Sequence, residues 1–395
     1  MTNSPSGAQL IADRRSFASY RGDEWNAFAA ATGESFLGSW GVVKARRFFG
    51  HVRLFDFILL DGAGSRKKVG QCAVHARRRI VTFLDKIQLL PGQRHLNRKC
   101  FDLVAAQFGD VAYKYGSRWN DEDEFNLEGL PRFDVDRKTF HIDVIQFCEW
   151  PNFAAYRRAV SENIRRDYKK AKEANAIART EYGLAGLREL VAFVEMRRHM
   201  ALRNKLPFSR VVDFFTHAGR LFALGKDSFV TTVRIDGKCY AAFFGAVVGS
   251  RLYYLSGGTR NNQLGAGSYL FLNLIEKWFS KYPNGEFLMG DCPRPSAKPT
   301  HDNGNLLYRR KLRVRSINGV AFRLKPKHSA SDAPSDTQKA SADERTLGNK
   351  PGGRIIAHEI PTPSPDQGNV HPRRAKGISS SGPMPGPISG EPGKA

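Results

Sequence analysis

The sequence predicts an α+β protein of two tandem halves, each a mixed, mainly antiparallel sheet flanked by helices, followed by a disordered Pro/Ser/Gly-rich tail. Three observations carry that expectation. Runs rich in β-branched and aromatic residues, such as Arg53 to Asp61 and Phe229 to Ile235, alternate with stretches whose apolar residues recur every three or four positions. An Asp236-Gly237 pair, the strongest two-residue hairpin signal, joins two such runs. The 395 residues exceed one ordinary domain, and the segment from 326 onward holds 11 of the 20 prolines with almost no apolar residues.

In the first half, residues 1–150, Trp25, Phe28 and Ala29 stand at helical spacing behind the acidic pair Asp23 and Glu24, which suits a helix N-terminus. Arg53 to Asp61, Lys68 to Arg78 and Arg79 to Leu90 read as an antiparallel meander, the first two strands joined by a turn that begins at Asp61. A helix through Lys99 to Phe108 and strands near Val111 to Tyr115 and Lys138 to Val144 complete this half. The second half, residues 151–325, opens on a helix with Tyr156, Val160, Ile164, Tyr168 and Ala171 on one face and basic residues on the others. A strand (Ile177 to Tyr182), two helices (Leu187 to Arg203 and Arg210 to Leu224) and the hairpin strands Phe229 to Ile235 and Lys238 to Val248 follow. Then come strand Arg251 to Ser256, a Gly-containing loop and a helix striped by Leu270, Phe271, Leu274, Ile275 and Trp278. Strands Glu286 to Met289, Leu312 to Ile317 and Gly319 to Leu324 close the half. The tail, 326–395, buries too little apolar surface to offset the entropy of ordering it.

Charge narrows the function. Lys plus Arg is 62 against 38 for Asp plus Glu, a net +24, and residues 151–325 carry +18 of it. The excess gathers in Arg157, Arg158, Arg165, Arg166, Lys169, Lys170 and Lys172, and again in Arg309, Arg310, Lys311, Arg313 and Arg315. Such a field attracts phosphates, nucleic acid or acidic polymers. The longest apolar run, Cys239 to Gly249, falls short of the roughly 20 residues of a membrane span, and the N-terminus lacks the apolar stretch of a signal peptide, so a cytoplasmic location is expected. Five cysteines without CxxC spacing suggest neither a disulfide framework nor a metal site. Glu195 with His199, one helical turn apart, lack a third ligand, and Cys292 with His301 and Asp302 lie in a proline-broken loop.

The loop before the second long helix is the most informative stretch. Backbone N–H groups at a helix N-terminus carry partial positive charge, and glycines let an anion approach them closely, so Gly265, Ala266, Gly267 and Ser268 suit a pyrophosphate cradle. The order of basic helix, strand, two helices, Asp-Gly hairpin, YYLSGG strand, Gly-rich loop, apolar helix and FLMGD resembles the second half of the GNAT N-acyltransferase superfamily. More narrowly it resembles the FemAB-like and CelD-type branch, in which two GNAT-like folds are fused in one chain. The resemblance spans about residues 150 to 325, and the first half more loosely.

That resemblance implies transfer of an acyl or aminoacyl group to an amine, with acyl-CoA as co-substrate and no permanently bound cofactor, or with a charged tRNA as donor. It places the donor's phosphates at Asn262, Gln263 and Gly265 to Ser268, with Asn262 standing where the superfamily usually has Arg or Gln. Arg260 or Gln263 is the substitute. By position, Asp291 is the candidate base for the amine and Tyr308 the candidate acid for the departing thiolate or hydroxyl, while Arg165, Arg166 and Lys169 suit an anionic substrate. The rearranged loop after Asp291 also fits a different class, a non-catalytic scaffold or polysaccharide-assembly accessory that binds an anionic polymer.

Overall fold

The computed structural model describes residues 9–33, 35–62, 64–121, 127–260, 264–291 and 304–327. The expected tail beyond 327, Asn262, Gln263 and the Cys292, His301, Asp302 group lie outside the described residues. The first half supplies β1 (Gln9–Arg15), α1 (Gly22–Ala31), α2 (Trp40–Arg47), β2 (His51–Leu60), β3 (Arg66–Arg77), β4 (Ile80–Phe83), β5 (Gln88–Leu89), α3 (Asn97–Ala105), β6 (Ala112–Asp121) and β7 (Phe133–Gln146). The second supplies α4 (Phe153–Ala159), α5 (Glu162–Glu173), β8 (Ile177–Tyr182), α6 (Leu187–Arg203), α7 (Arg210–Leu224), β9 (Ser228–Ile235), β10 (Lys238–Val248), β11 (Arg251–Thr259), α8 (Ala266–Lys281), β12 (Glu286–Asp291), α9 (Gly304–Lys311) and β13 (Arg315–Pro326).

Among the described residues these strands form one mixed sheet in the order β1-β2-β3-β4-β6-β13-β7-β12-β11-β10-β9-β8, with β5 paired to β3. Two neighbouring pairs are parallel, β4 with β6 and β11 with β12, and the other pairings are antiparallel. Parallel neighbours need a crossover, and α3 and α8 supply the two. In the second half the pleat sends Phe243 and Phe244 to opposite faces. Phe243 joins Ile164, Leu270, Ile275 and Phe287 under α5 and α8, whereas Phe244 joins Leu190, Phe193 and Leu221 under α6 and α7.

The closing strands are exchanged. β7 lies between β13 and β12, and β13 lies between β6 and β7, so each half ends beside the other half's parallel pair. The sequence reads Leu312 to Ile317 and Gly319 to Leu324 as two strands closing the second half; the structure has one strand instead. Its Val320, Phe322 and Leu324 are buried with Phe55, Phe101 and Tyr113 in the first core. Gly319 stays in register with β7 while β6 bulges opposite it over residues 118–120, which presses the Arg118 carbonyl against Gly319 where a Cβ has no room.

Two other expectations need correcting, and one strand went unread. The single basic helix is two, because Val160 is extended (ψ 154°) and the Ser161 amide donates to the Lys311 carbonyl at 3.0 Å. Arg79 to Leu90 is β4 and β5, parted at Asp85, whose φ is 102° and whose carboxylate accepts the Ser35 and Ser117 hydroxyls at 2.6 and 2.8 Å. Strand β1, with its weak apolar alternation, gave no sequence signal. The Asp236-Gly237 hairpin forms as read, both residues having the positive φ (49° and 74°) of a type I′ turn.

Candidate active site

β11 and β12 are paired only over Arg251 to Tyr253, opposite Glu286 to Leu288. Beyond that both strands carry a bulge, β11 at Leu255 against β10 and β12 at Met289 against β7. The strands part there, and among the described residues no strand pairs with the β12-facing edge of Tyr254 to Thr259. A seam therefore opens through the sheet. It is narrow at Gly290, where a Cβ would stand 3.3 Å from the Trp119 ring and 3.9 Å from the Tyr254 carbonyl, and where φ is 83°. Only glycine suits that backbone.

Helix α9 closes one end of the seam. Arg309 Nη1 donates to Asp143 Oδ2 at 3.1 Å and to the carbonyls of Gly290 and Asp291 at 3.0 and 2.9 Å. The ion pair is nearly dry, with side-chain exposures of 14% and 4%. Sequence reasoning notes Arg309 in a basic cluster and beside Tyr308; no local signal links it to Asp143, which lies in the other half. Asp291 is exposed at the end of β12. The Tyr308 ring stands 5.7 Å from Phe271, and its hydroxyl is buried without a well-aligned hydrogen bond. Burial pushes its pKa far above the phenol range, partly offset by the nearby Ser268 hydroxyl, which makes its own bond to Asp167 Oδ2 at 3.3 Å. Tyr254 is also pushed up by burial, with Arg309 and Arg197 drawing it back. The Ser256 hydroxyl is buried and unpartnered.

Gly265 caps α8 in the left-handed region (φ 66°), and a Cβ on it would collide with the Asp167 carbonyl of α5. Ala266, Gly267 and Ser268 are buried, and Tyr168 stacks on Tyr269 at 5.3 Å, so α5 covers the start of α8. The Asp167 carboxylate, bonded to Ser268, places negative charge at the positive end of the helix, a favourable arrangement that sequence reasoning missed. Arg165, Arg166 and Lys169 are exposed along α5; Arg166 bonds Asn163 at 3.3 Å and Lys169 lies 3.6 Å from Glu173. Arg260 is exposed, and Arg203 holds the loop's entry by donating to the carbonyls of Thr259 and Arg260 at 2.9 and 2.7 Å. Glu195 and His199 are 3.5 Å apart, with Glu195 shared by Arg198 and Arg210. Among the described residues no group of three or more His, Cys, Asp or Glu is placed to hold a metal, and no helix is long and apolar enough to cross a membrane.

Residues 158–291 match the family model described as the acetyltransferase (GNAT) domain. Among solved structures, FemX superposes with a TM-score of 0.62 at 10% identity, covering 80% of this chain and 97% of FemX. The fold is a FemAB-like GNAT fold. L-PGS from Bacillus licheniformis aligns with a TM-score of 0.47 at 13% identity, covering 78% of this chain and 92% of its own. A tandem GNAT protein from the clavulanic acid biosynthesis pathway aligns with a TM-score of 0.43 at 11% identity, covering 81% and 98%. No curated protein matches the sequence. The segment that matches the family model contains α5, α8 and both sides of the seam, from Tyr254 to Asp291. Tyr308 and Arg309 follow it in sequence and fold back onto it.

Proposed function

We propose that the protein is an N-acyltransferase that moves an acyl group from acyl-CoA to the amine of a sugar, peptide or amino-acid acceptor, with the seam between β11 and β12 as the reaction site. The parted parallel pair carries this reading. The free edge of Tyr254 to Thr259 offers backbone N–H groups to a carbonyl lying in the seam, and their bonds strengthen as negative charge develops on its oxygen. In the reaction the amine nitrogen attacks the thioester carbon, the C–S bond breaks, and one proton passes from the nitrogen to solvent or a base while the thiolate gains another. Asp291, exposed at the end of β12, is the base in this scheme and takes the proton from the amine nitrogen as its bond to the carbonyl carbon forms. Tyr308 is the acid in this scheme, protonated at neutral pH but made a weaker donor than a free phenol by burial, so that its proton passes only to the charge that develops on the departing sulfur.

A second reading, an aminoacyl transferase that takes its acyl group from charged tRNA, is favoured by one observation. The Asp167 carboxylate stands at the start of α8, where it would repel a pyrophosphate, while Arg165, Arg166 and Lys169 are exposed along α5, where a longer phosphate backbone could meet them.

Titration calorimetry of the whole chain with acetyl-CoA, a longer acyl-CoA and a charged tRNA, at two salt concentrations, separates the two. Substitution at Gly265 would displace α5, so the exposed triple variant R165Q/R166Q/K169Q is the suitable comparison. Saturable acyl-CoA binding, weakened about tenfold or more in the variant, is expected. Binding of charged tRNA alone, falling steeply with salt, makes tRNA the donor. Binding of neither ends both transferase readings in favour of a scaffold.

A further inference from the structure

The seam has a second face, beneath α6 and α7, whose charges the reaction above does not use. There the Arg220 guanidinium is half-buried, and its hydrogen bond among the described residues runs from Nη1 to His217 Nε2 at 3.4 Å. His217 Nδ1 donates to the Asp213 carbonyl at 2.8 Å, which leaves Nε2 as the acceptor toward Arg220. Burial lowers the His217 pKa to about 4, so at neutral pH this neighbour accepts a bond without balancing the charge. Asp213 is engaged elsewhere: its two oxygens take Arg197 Nη2 at 3.1 Å and Nε at 3.5 Å. Arg118 adds a further positive charge to the field at Arg220.

Arg197 and Arg220 thus share one carboxylate, and the exposed Arg118 adds positive charge to the same field. The protein's other inward arginines are treated differently: Arg309 has Asp143, and Arg234 has Glu189 at 2.7 Å, each carboxylate 4% exposed. Removing a guanidinium from water without a counter-charge is costly, and burial accordingly depresses the Arg220 pKa. An incoming anion would complete the set, and the planar fork of arginine fits carboxylate and phosphate oxygens in pairs.

The cluster lies where the strands part. Gly258 of β11 abuts the Met196 carbonyl and the Arg197 amide, and Arg197 is close enough to draw down the Tyr254 pKa. Leu224, one turn after Arg220, packs with Trp119, Tyr253 and Leu288. Arg118 lies over the Trp119 ring at 5.3 Å, and that ring borders Gly290. We infer that this face is an acceptor subsite for an oxyanion, a carboxylate or a phosphate monoester carried by the amine substrate and held by Arg220, Arg197 and Arg118. That the anion belongs to an acyl acceptor rests on the proposed function; that the site binds an oxyanion does not.

Inorganic phosphate and propionate, titrated into the full chain at constant ionic strength with chloride as the balancing salt, test the site directly. Saturable binding with a rise in Tm is expected for at least one of them, and that one identifies the group. R220M and the exposed-site variant R118Q are expected to weaken it tenfold or more, with the R220M chain at least as heat-stable as wild type in anion-free buffer because no carboxylate loses its partner. R323Q, at an exposed position on β13, controls for net charge. No saturable binding, undiminished binding in R220M, or an equal loss in R323Q overturns the subsite. With acyl-CoA as donor, wild type should favour an anionic amine over its neutral analogue by tenfold or more in kcat/KM, and R220M should erase the preference; no preference in wild type removes the acceptor assignment. Phosphate binding in a chain that ignores acyl-CoA would sink the donor reading alone.

Discussion

Glu189 shows how single side chains settle buried charge here. It accepts Arg234 Nη2 at 2.7 Å and the Thr232 hydroxyl at 2.8 Å. Burial works to raise its pKa, but these bonds outweigh it, and the result lies below the ordinary 4.5. Because the folded value is depressed, the stabilisation is complete above about pH 4.5 and is lost as pH falls through the folded value. Glu189→Gln should lower stability by about 1–3 kcal/mol at pH 6 and flatten the acid limb. Urea denaturation at pH 6, 4.5 and 3.5 checks this; equal slopes for both chains would assign the acid sensitivity elsewhere. Such partnerships were not legible in the sequence. Asp291 stood out because it ends the FLMGD strand and Tyr308 because it follows, whereas the Arg309 to Asp143 bond joins residues 166 positions apart.

At the scale of elements, local chemistry was often sufficient. Helix α6 matches its periodic stretch residue for residue, and α7 begins where Ser209 accepts the Val212 amide at 3.4 Å. What the periodicity did not show were features dictated by neighbouring segments: the break between α4 and α5, and the bulges at Leu255 and Met289 that part the strands. A bulge is a register between partners, and one strand's residues do not record it. The contact of α6 with β11 is similarly exacting. A Cβ on Gly258 would strike the Met196 carbonyl, a backbone group with little freedom to move. Gly258→Ala should therefore push α6 from the sheet, at a cost of about 1–3 kcal/mol, and displace Arg197 with it. Thermal unfolding of that variant beside the phosphate titration reads both effects, and wild-type values in both would show that α6 shifts without consequence.

For the whole molecule, composition located the charge, and the segment patterns gave the order of nearly every element. The exchange of β7 and β13 stayed hidden because apolar alternation fits a strand to any half-buried sheet, whichever half provides it. Its energetic weight is testable. A chain ending at residue 314 lacks β13 and with it Val320, Phe322 and Leu324 of the first core. Hydrogen exchange should then show the β13-facing amides of β6 and β7 losing protection, and near-UV circular dichroism should lose the signal of the aromatic group around Phe101 and Tyr113. Protection that survived the truncation would mean that the first sheet closes by itself.

The exchanged strand also bears on how the protein is made. During translation the residues that complete the first sheet are among the last of the described chain to leave the ribosome, after all of α4 to α9. Phe55, Phe101 and Tyr113 must wait through that interval beside an unfilled edge between β6 and β7. A nascent chain in this state exposes both apolar surface and unpaired strand, the combination that invites aggregation and the attention of chaperones.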